Sequence, residues 1–163
     1  MKESLEKMMN DMRHPWKLIP AIIMMAGIFA HSSMNGDMST LESDALIRIL
    51  GLPLTDTMVV AVRKCAHLME YAALGASMYL LTDDWQQARA DRKQETRGRL
   101  SLDGPFGKAW FASALYAVTD EIHQYFVPGR SGEITDVLID SIGCLIGVVI
   151  MRSILRRRDD YHD

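Results

Sequence analysis

The chain has no surplus of positive charge, few aromatic residues and little cysteine. Eighteen Lys and Arg stand against 21 Asp and Glu, which gives a formal net charge of −3, and aromatic residues make up 7% of the chain. Nucleic-acid-binding domains carry a clustered basic surplus, so the charge balance argues against such a partner. The two cysteines, Cys65 and Cys144, lie in apolar stretches. They are predicted to be small buried hydrophobes rather than a disulfide or a metal-binding pair.

Long uninterrupted hydrophobic runs are also scarce, although 48% of the residues are hydrophobic. Only the stretch WKLIPAIIMMAGIFAHSSM is both long enough to cross a bilayer core and free of acidic residues. Three later stretches are long enough but carry ionisable residues. The four predicted membrane spans cover residues 16–34, 58–81, 105–127 and 134–155.

The placement of basic residues favours a membrane protein over the alternative, a soluble helical bundle. Lys and Arg are concentrated in three segments, residues 1–17, 83–108 and 152–163. The two other connections between the spans hold only Arg48 and Arg130. Cytoplasmic segments of membrane proteins are enriched in Lys and Arg, so both termini and the charged loop 83–104 are predicted to be cytoplasmic.

The predicted fold is therefore all-α: an integral membrane four-helix bundle that forms one domain over residues 1–163. A short amphipathic helix is predicted within the first outer connection, over Leu41–Leu50, because its apolar residues cluster on one side. Gly143 and Gly147, four residues apart in the last span, are predicted to let another helix approach closely.

The polar residues within the predicted spans all lie near the outer ends. Ionisable groups at membrane depth are costly, so they are expected to converge on a shared interior or a water-filled cavity. Helical spacing agrees, since Lys64, His67 and Tyr71 recur on one face of the second span. The full set comprises Ser32, Ser33, Lys64, His67, Glu70, Tyr71, Asp120, Glu121, His123, Gln124, Arg130, Asp136 and Asp140.

Three stretches that carry these residues resemble the VanZ-like family, known from teicoplanin resistance. They are the serine pair in IFAHSSM, the segment RKCAHLMEYAALG, and AVTDEIHQYFVPGRSGEITDVLIDSIGCLIG. The similarity runs from about Leu18 to Met151. It implies a small multi-pass helical protein of the bacterial inner (plasma) membrane, but it supplies no mechanism. The family often has Asn where this chain has Asp140, so an additional acid stands at that position.

One hypothesis for this polar set is a binding site for an anionic lipid or a glycan precursor. Lys64, Arg63 and Arg130 could hold a phosphate or carboxylate, with arginine able to bind in a bidentate manner. Hydroxyl groups of Ser32, Ser33 and Tyr71 could add donors, and Gln124, Asp136 and Asp140 complete the predicted ligand-binding set. The candidate partners are membrane lipids, including an undecaprenyl-linked precursor, or a lipoglycopeptide.

A second hypothesis is a lipid phosphohydrolase or transferase. The predicted catalytic set, His67, Glu70, Asp120, Glu121 and His123, could supply a general acid and base or hold a divalent metal. Its spacing matches no metalloenzyme signature, and no Ser or Cys nucleophile is evident. No cofactor is otherwise predicted.

Two further interpretations stay open. Four spans without an internal repeat argue against a transporter acting alone, but not against a non-catalytic modulator of glycopeptide action. Alternatively, the polar residues could pair with one another and serve only to fix the helix register.

Two geometric expectations follow. Glu70 or His67 should approach Asp120, Glu121 or His123 within hydrogen-bonding or one-water distance. Pro128 and Gly129 should end the third span, and Arg130 should reach down to Asp120, Glu121 or Asp136, or outward to a lipid phosphate.

Overall fold

The computed structural model describes residues 14–93 and 104–160, and within these two ranges the chain is all-helical, without strands. The all-α class predicted from the sequence is thus confirmed. A 3-10 turn, Pro15–Lys17, leads into five helices. They are α1 (Leu18–Ser32), α2 (Gly36–Ile49), α3 (Asp56–Lys93), α4 (Pro105–Tyr125) and α5 (Ile134–Asp160).

The helix bounds agree with the predicted segments except in three places, one of which is the end of α5, at Asp160 rather than residue 155. The short helix α2 starts at Gly36, five residues before its predicted start, because Asn35 caps it by accepting a hydrogen bond from the Met38 backbone N–H at 2.9 Å. Helix α3 continues to Lys93, so the first part of the predicted loop 83–104 is helical. Most of the rest of that loop, like most of the predicted N-terminal segment, lies outside the described residues.

Helix α3 is the central element and packs against the four other helices. Its buried Tyr71 and Leu74 meet Ile28 of α1, Ala117 of α4 and Cys144 of α5 in one hydrophobic cluster. The predicted burial is correct for Cys144 and wrong for Cys65, which is exposed on α3. That cysteine follows the inward-facing Lys64 by one position, and one helical step of about 100° turns it away from the interior.

Small residues bring α3 and α5 into backbone contact. A Cβ added to Gly147 would lie 1.8 Å from the carbonyl oxygen of Ala72, and one added to Gly143 would lie 2.6 Å from that of Leu68. On α3, a Cβ added to Gly75 would lie 2.2 Å from the carbonyl oxygen of Cys144. Gly143 and Gly147 of α5 therefore form the predicted packing surface, and Gly75 of α3 is part of the same contact.

At one end of the bundle, the buried side chain of Asp84, near the end of α3, contacts the segment before α1. Its carboxylate accepts a hydrogen bond from the His14 backbone N–H at 3.0 Å and lies 2.9 Å from the Lys17 ammonium. Burial alone would raise the pKa of the Asp84 carboxyl, but the bonds from His14 and Lys17 outweigh burial and lower it. The carboxylate thus joins the segment before α1 to α3.

Cationic side chains gather at this same end. Lys108, in the first turn of α4, lies 5.2 Å from the Trp85 ring centroid, and Arg152, near the end of α5, lies 5.7 Å from that of Phe106. Cations over aromatic faces are attracted by the ring quadrupole. The opposite end of the bundle carries the polar residues singled out above.

The outer surface of the bundle is apolar. Within the described residues, one helix, Ile134–Arg157, is long and apolar enough to cross a membrane, with a mean hydropathy of 2.1 and 28% of its apolar window buried. The segments Pro15–Ser32 and Gly36–Ile49 pass the same test as a pair, but they bend by 108° between them. Length and composition therefore identify one clear spanning candidate.

We expect Gly147→Ala to destabilise the protein, because the new methyl group would collide with the Ala72 carbonyl oxygen. Overpacking of this kind costs about 1–3 kcal/mol. Gly27→Ala is the matched control, since nothing lies within 4 Å of a Cβ added there. Thermal unfolding of the purified proteins should show a lower midpoint for Gly147→Ala and none of that loss for Gly27→Ala. An unchanged midpoint for Gly147→Ala would contradict the close approach.

Candidate functional site

Seven buried polar side chains from α1, α3, α4 and α5 converge at the end of the bundle opposite Asp84. We call this group the polar chamber. Each member is at most 8% exposed. The members are Ser32, His67, Tyr71, Asp120, Glu121, Gln124 and Asp140.

The end of α4 and its turn into α5 close one side of the chamber. Helix α4 ends at Tyr125, and Gly129 adopts a φ of +76°, which lets the chain reverse. The backbone N–H of Gly36, the first residue of α2, donates a hydrogen bond to the Pro128 carbonyl at 3.1 Å. Since a Cβ on Gly36 would lie 2.1 Å from the Gly129 carbonyl oxygen, only glycine allows α2 to dock on this turn.

Asp120 is the centre of the hydrogen-bond network. Its Oδ2 accepts from the Ser32 hydroxyl at 2.7 Å and from the Gln124 amide at 3.0 Å. Its Oδ1 is buried without a hydrogen-bond partner. The carboxylate therefore ties α1 to α4 with one oxygen and leaves the other unused.

Arg130 continues the network through neutral partners. Its Nη1 donates to the Gln124 side-chain oxygen at 2.9 Å, and its Nη2 donates to the Ser39 hydroxyl of α2 at 2.9 Å. Within the described residues it forms no ion pair. Contact with a carboxylate, one of the two alternatives predicted for Arg130, is thus not made directly, because Gln124 lies between it and Asp120; contact with a lipid phosphate stays a prediction.

A second arginine lies close enough to repel Arg130. Burial lowers the pKa of the Arg130 guanidinium, and the charge of Arg63 lowers it further, against the opposing effect of nearby carboxylates. The Arg63 side chain, half-buried on α3, makes no hydrogen bond or ion pair in the described part of the chain. Two cations thus stand near each other without a carboxylate bound to either.

Two histidines connect the chamber to its edge. The His31 ring lies 2.9 Å from Glu70 of α3 through Nδ1 and 3.0 Å from Glu42 of α2 through Nε2. Its centroid is 5.7 Å from that of His67. The His67 Nδ1 in turn lies 3.8 Å from Asp140, which is fully buried. His31 therefore links the outer helix α2 to α3.

Contacts at the start of α5 define the partly exposed rim of the chamber. Lys64 forms an ion pair with Asp136, and both side chains are about one-third exposed, at 32% and 28%. The Glu133 backbone N–H donates to Glu121 Oε2 at 2.9 Å, so one carboxylate oxygen of α4 fixes the beginning of α5.

The chamber contains several buried polar atoms that lack a hydrogen-bond partner. A buried polar group without a partner costs free energy, so such groups are rare in folded proteins. Protein groups alone do not satisfy this network, so these atoms are left to water or to a ligand. In the chamber they are His67 Nδ1, Tyr71 Oη, Asp120 Oδ1, Glu121 Oε1 and both carboxylate oxygens of Asp140, and beside it they are Glu70 Oε2 and Arg130 Nε.

Two predicted site residues lie on the bundle surface, away from the chamber and its rim. The Ser33 hydroxyl and His123 Nε2 are 3.1 Å apart on the bundle surface, and the His123 ring stacks on Phe29 at 4.7 Å. His123 precedes Gln124 by one position, so its side chain leaves the helix about 100° away from the buried amide. The structure therefore does not bring His123 together with His67.

The expected direct contact between α3 and α4 acids and histidines is not made. Glu70 pairs with His31, and the nearest carboxylate to His67 is Asp140 of α5. No hydrogen bond or ion pair joins His67 to Asp120 in the described part of the chain, and an approach within one-water distance stays a prediction. The polar face of α3 points to α1 and α5 as well as to α4. The spacing of polar residues along α3 alone did not show which of these helices each residue would contact.

The geometry gives a divalent metal no support. Within the described residues, no group of three or more His, Cys, Asp or Glu side chains is arranged to hold a metal ion. The predicted catalytic carboxylates are instead committed to separate contacts, with Ser32, Glu133 N–H and His31.

Comparison with known proteins identifies the family. The VanZ/LLP1 family model matches residues 17–156, nearly the whole chain, and this protein belongs to that family. Comparisons with curated proteins and with solved structures gave no match.

Three residues of the site were absent from the predicted site set. They are His31, Ser39 and Glu42. Ser39 had a readable signal, because Ser39, Ser43 and Ile47 recur every four residues and form the buried face of α2. The predicted apolar side of α2, with Leu41 67% and Ile49 79% exposed, faces away from the bundle.

We expect Ser32→Ala to lower the free energy of unfolding by about 1–3 kcal/mol, because it removes a donor from a buried carboxylate. Ser33→Ala is the neighbouring control. Its hydroxyl bonds Phe29 and His123 at the exposed surface, where water can replace it. Chemical denaturation of both variants measures the difference. Equal losses would show that the chamber network contributes no more than a surface hydrogen bond.

Proposed function

We propose that this VanZ/LLP1 family member is a four-span protein of the bacterial inner membrane whose polar chamber, on the outer side, binds the phosphate of a cell-envelope lipid or peptidoglycan precursor. Binding there modulates the susceptibility of the cell to teicoplanin. Family membership and the residues of the chamber support this assignment.

The membrane arrangement is supported by what the bundle exposes. Large apolar side chains cover the outward faces of α1, α4 and α5, among them Ile23 at 62%, Phe111 at 67% and Ile150 at 52% exposure. Contiguous exposed apolar surface of this extent is typical of contact with lipid. The charges of α3 and α4 lower their hydropathy, but near the chamber most of these charges face inward.

The orientation is supported by the difference between the two ends. Cations at the Asp84 end, including Lys17, Lys108 and Arg152, suit the cytoplasmic side. The chamber then lies at the outer side, where lipid-linked wall precursors are used.

The observation that carries the binding proposal is the state of Arg130. Its guanidinium is half-buried next to Arg63 and is held by Gln124 and Ser39, which are neutral, so no carboxylate is in direct contact with it in the described residues. A buried cation without a counter-charge is costly, and a second cation nearby increases the cost. A phosphate would neutralise both and could accept a two-pronged contact from the guanidinium.

An enzyme acting on the same phosphate is the second candidate. His67 favours it, because its buried Nδ1 lacks a hydrogen-bond partner and lies 3.8 Å from Asp140, an arrangement that suits a base oriented by an acid. Release of inorganic phosphate from undecaprenyl diphosphate by the wild type, but not by His67→Gln, would favour catalysis over binding.

Cysteine labelling tests the membrane arrangement. Cys65→Ser and Cys144→Ala remove the native thiols, and single cysteines then replace Thr40, exposed on α2, or Arg157, exposed near the end of α5. We expect an impermeant maleimide to label position 40 on intact cells and position 157 only after permeabilisation. Labelling of position 157 on intact cells would contradict the proposed orientation.

Arg130→Lys tests the binding site. Lysine keeps the charge but cannot hold Gln124, Ser39 and a phosphate in one plane, so we expect about tenfold or greater loss of undecaprenyl phosphate binding. Native mass spectrometry of the detergent-solubilised protein measures it, alongside teicoplanin susceptibility at matched expression. Arg48→Lys, exposed on α2 without a partner in the described residues, should behave as wild type. Normal binding by Arg130→Lys would refute the guanidinium site.

A further inference from the structure

The region around Arg130 holds unpaired charges of both signs. Arg63 and Arg130 have no carboxylate partner in the described chain, and Asp120 and Glu121 have no cationic partner there. Three neighbouring acids do have one, since Glu42 and Glu70 contact His31 and Asp136 contacts Lys64. A network closed on itself would pair the remaining charges with each other.

Gln124 keeps these opposite charges apart. Its side-chain oxygen accepts from Arg130, and its amide nitrogen donates to Asp120, so the cation and the acid lie at the two ends of one amide group. The charges still interact electrostatically, because Asp120 and Glu121 both act on the Arg130 guanidinium. The acids therefore lie beside the proposed phosphate site and are separated from it by about one side chain.

The acidic side also has free acceptor capacity. Asp120 Oδ1 and Glu121 Oε1 are buried without hydrogen-bond partners, in side chains that are only 3% and 6% exposed. The Tyr71 hydroxyl, fully buried, is a donor close to Asp120 but does not reach full hydrogen-bond geometry with it, so it satisfies at most part of the acceptor capacity of these two carboxylates. Acceptors of this kind call for a donor, and negative charge favours a cationic one.

We infer that the chamber recognises a bipolar headgroup, in which a phosphate binds Arg63 and Arg130 while a primary ammonium a few ångströms away binds Asp120 and Glu121. An ammonium group carries three N–H donors and one positive charge, which matches two acidic oxygens without partners. The inference rests on the proposed phosphate site and adds the second half of the ligand. It explains why both charge sets are present and neither neutralises the other.

Lipids that differ only in the headgroup amine test this. Phosphatidylethanolamine has the phosphate and the ammonium, phosphatidylcholine has the same charges but no N–H donor, and phosphatidic acid has only the phosphate. Native mass spectrometry of the full-length, detergent-solubilised protein would compare their retention. We expect the wild type to retain phosphatidylethanolamine about tenfold better than the other two.

Glu121→Gln isolates the acidic side. The glutamine oxygen can still accept from the Glu133 backbone N–H, so the tie between α4 and α5 is kept, while an N–H₂ group replaces the free oxygen. We expect this variant to lose the preference for phosphatidylethanolamine and to retain phosphatidic acid as the wild type does. Asp44→Asn on α2, without a partner in the described residues, should keep the preference.

The outcomes separate the two proposals. Equal retention of all three lipids that Arg130→Lys abolishes would overturn the bipolar headgroup and leave the phosphate site standing. Retention that is insensitive to Arg130→Lys would overturn both. Free O-phosphoethanolamine provides a last comparison. If it displaces phosphatidylethanolamine, the headgroup alone is recognised. If it does not, and the preference for phosphatidylethanolamine is kept, the membrane-anchored lipid is recognised.

Discussion

The contact between the α3 and α5 backbones sets the geometry of the candidate site. Leu68 contacts Gly143, and one helical turn further along both helices Ala72 contacts Gly147, so α3 and α5 run parallel in a fixed register. Toward the chamber end, the same register brings His67 to Asp140 and Lys64 to Asp136. A larger residue at either glycine would separate the helices and the paired side chains together. Packing of small residues thus determines which charges meet.

The sequence pattern was sufficient to predict where most of the helices lie, but less so to predict how they pack against one another. Apolar periodicity and basic segments located α1, α4 and α5 closely, since each depends on local composition. The end of α3 was missed because residues 83–104 were interpreted as a charged loop, whereas Asp84 is buried by contacts with His14 and Lys17, which are distant in sequence. Local hydropathy contains no information about such a partner.

The site shows the same division. Spacing within one helix correctly grouped Asp120 with Gln124. It did not separate His123 from these two residues, nor Ser33 from Ser32, because residues one position apart differ only in the direction in which their side chains leave the helix. The contacts of Arg130 depend on where α2 docks, and that depends on glycines at positions 36 and 129 in separate connections. Only the three-dimensional structure shows that neutral side chains take the place predicted for carboxylates.

Helix α3 is 38 residues long, which corresponds to about 57 Å at 1.5 Å per residue. A bilayer core is about 30 Å thick, so in the proposed orientation a large part of this helix stands in the cytoplasm. The same rigid rod carries His67 and Glu70 near one end and Asp84 toward the other. In that orientation, a small change in the tilt of the inner part of α3 would displace the side chains at its outer part.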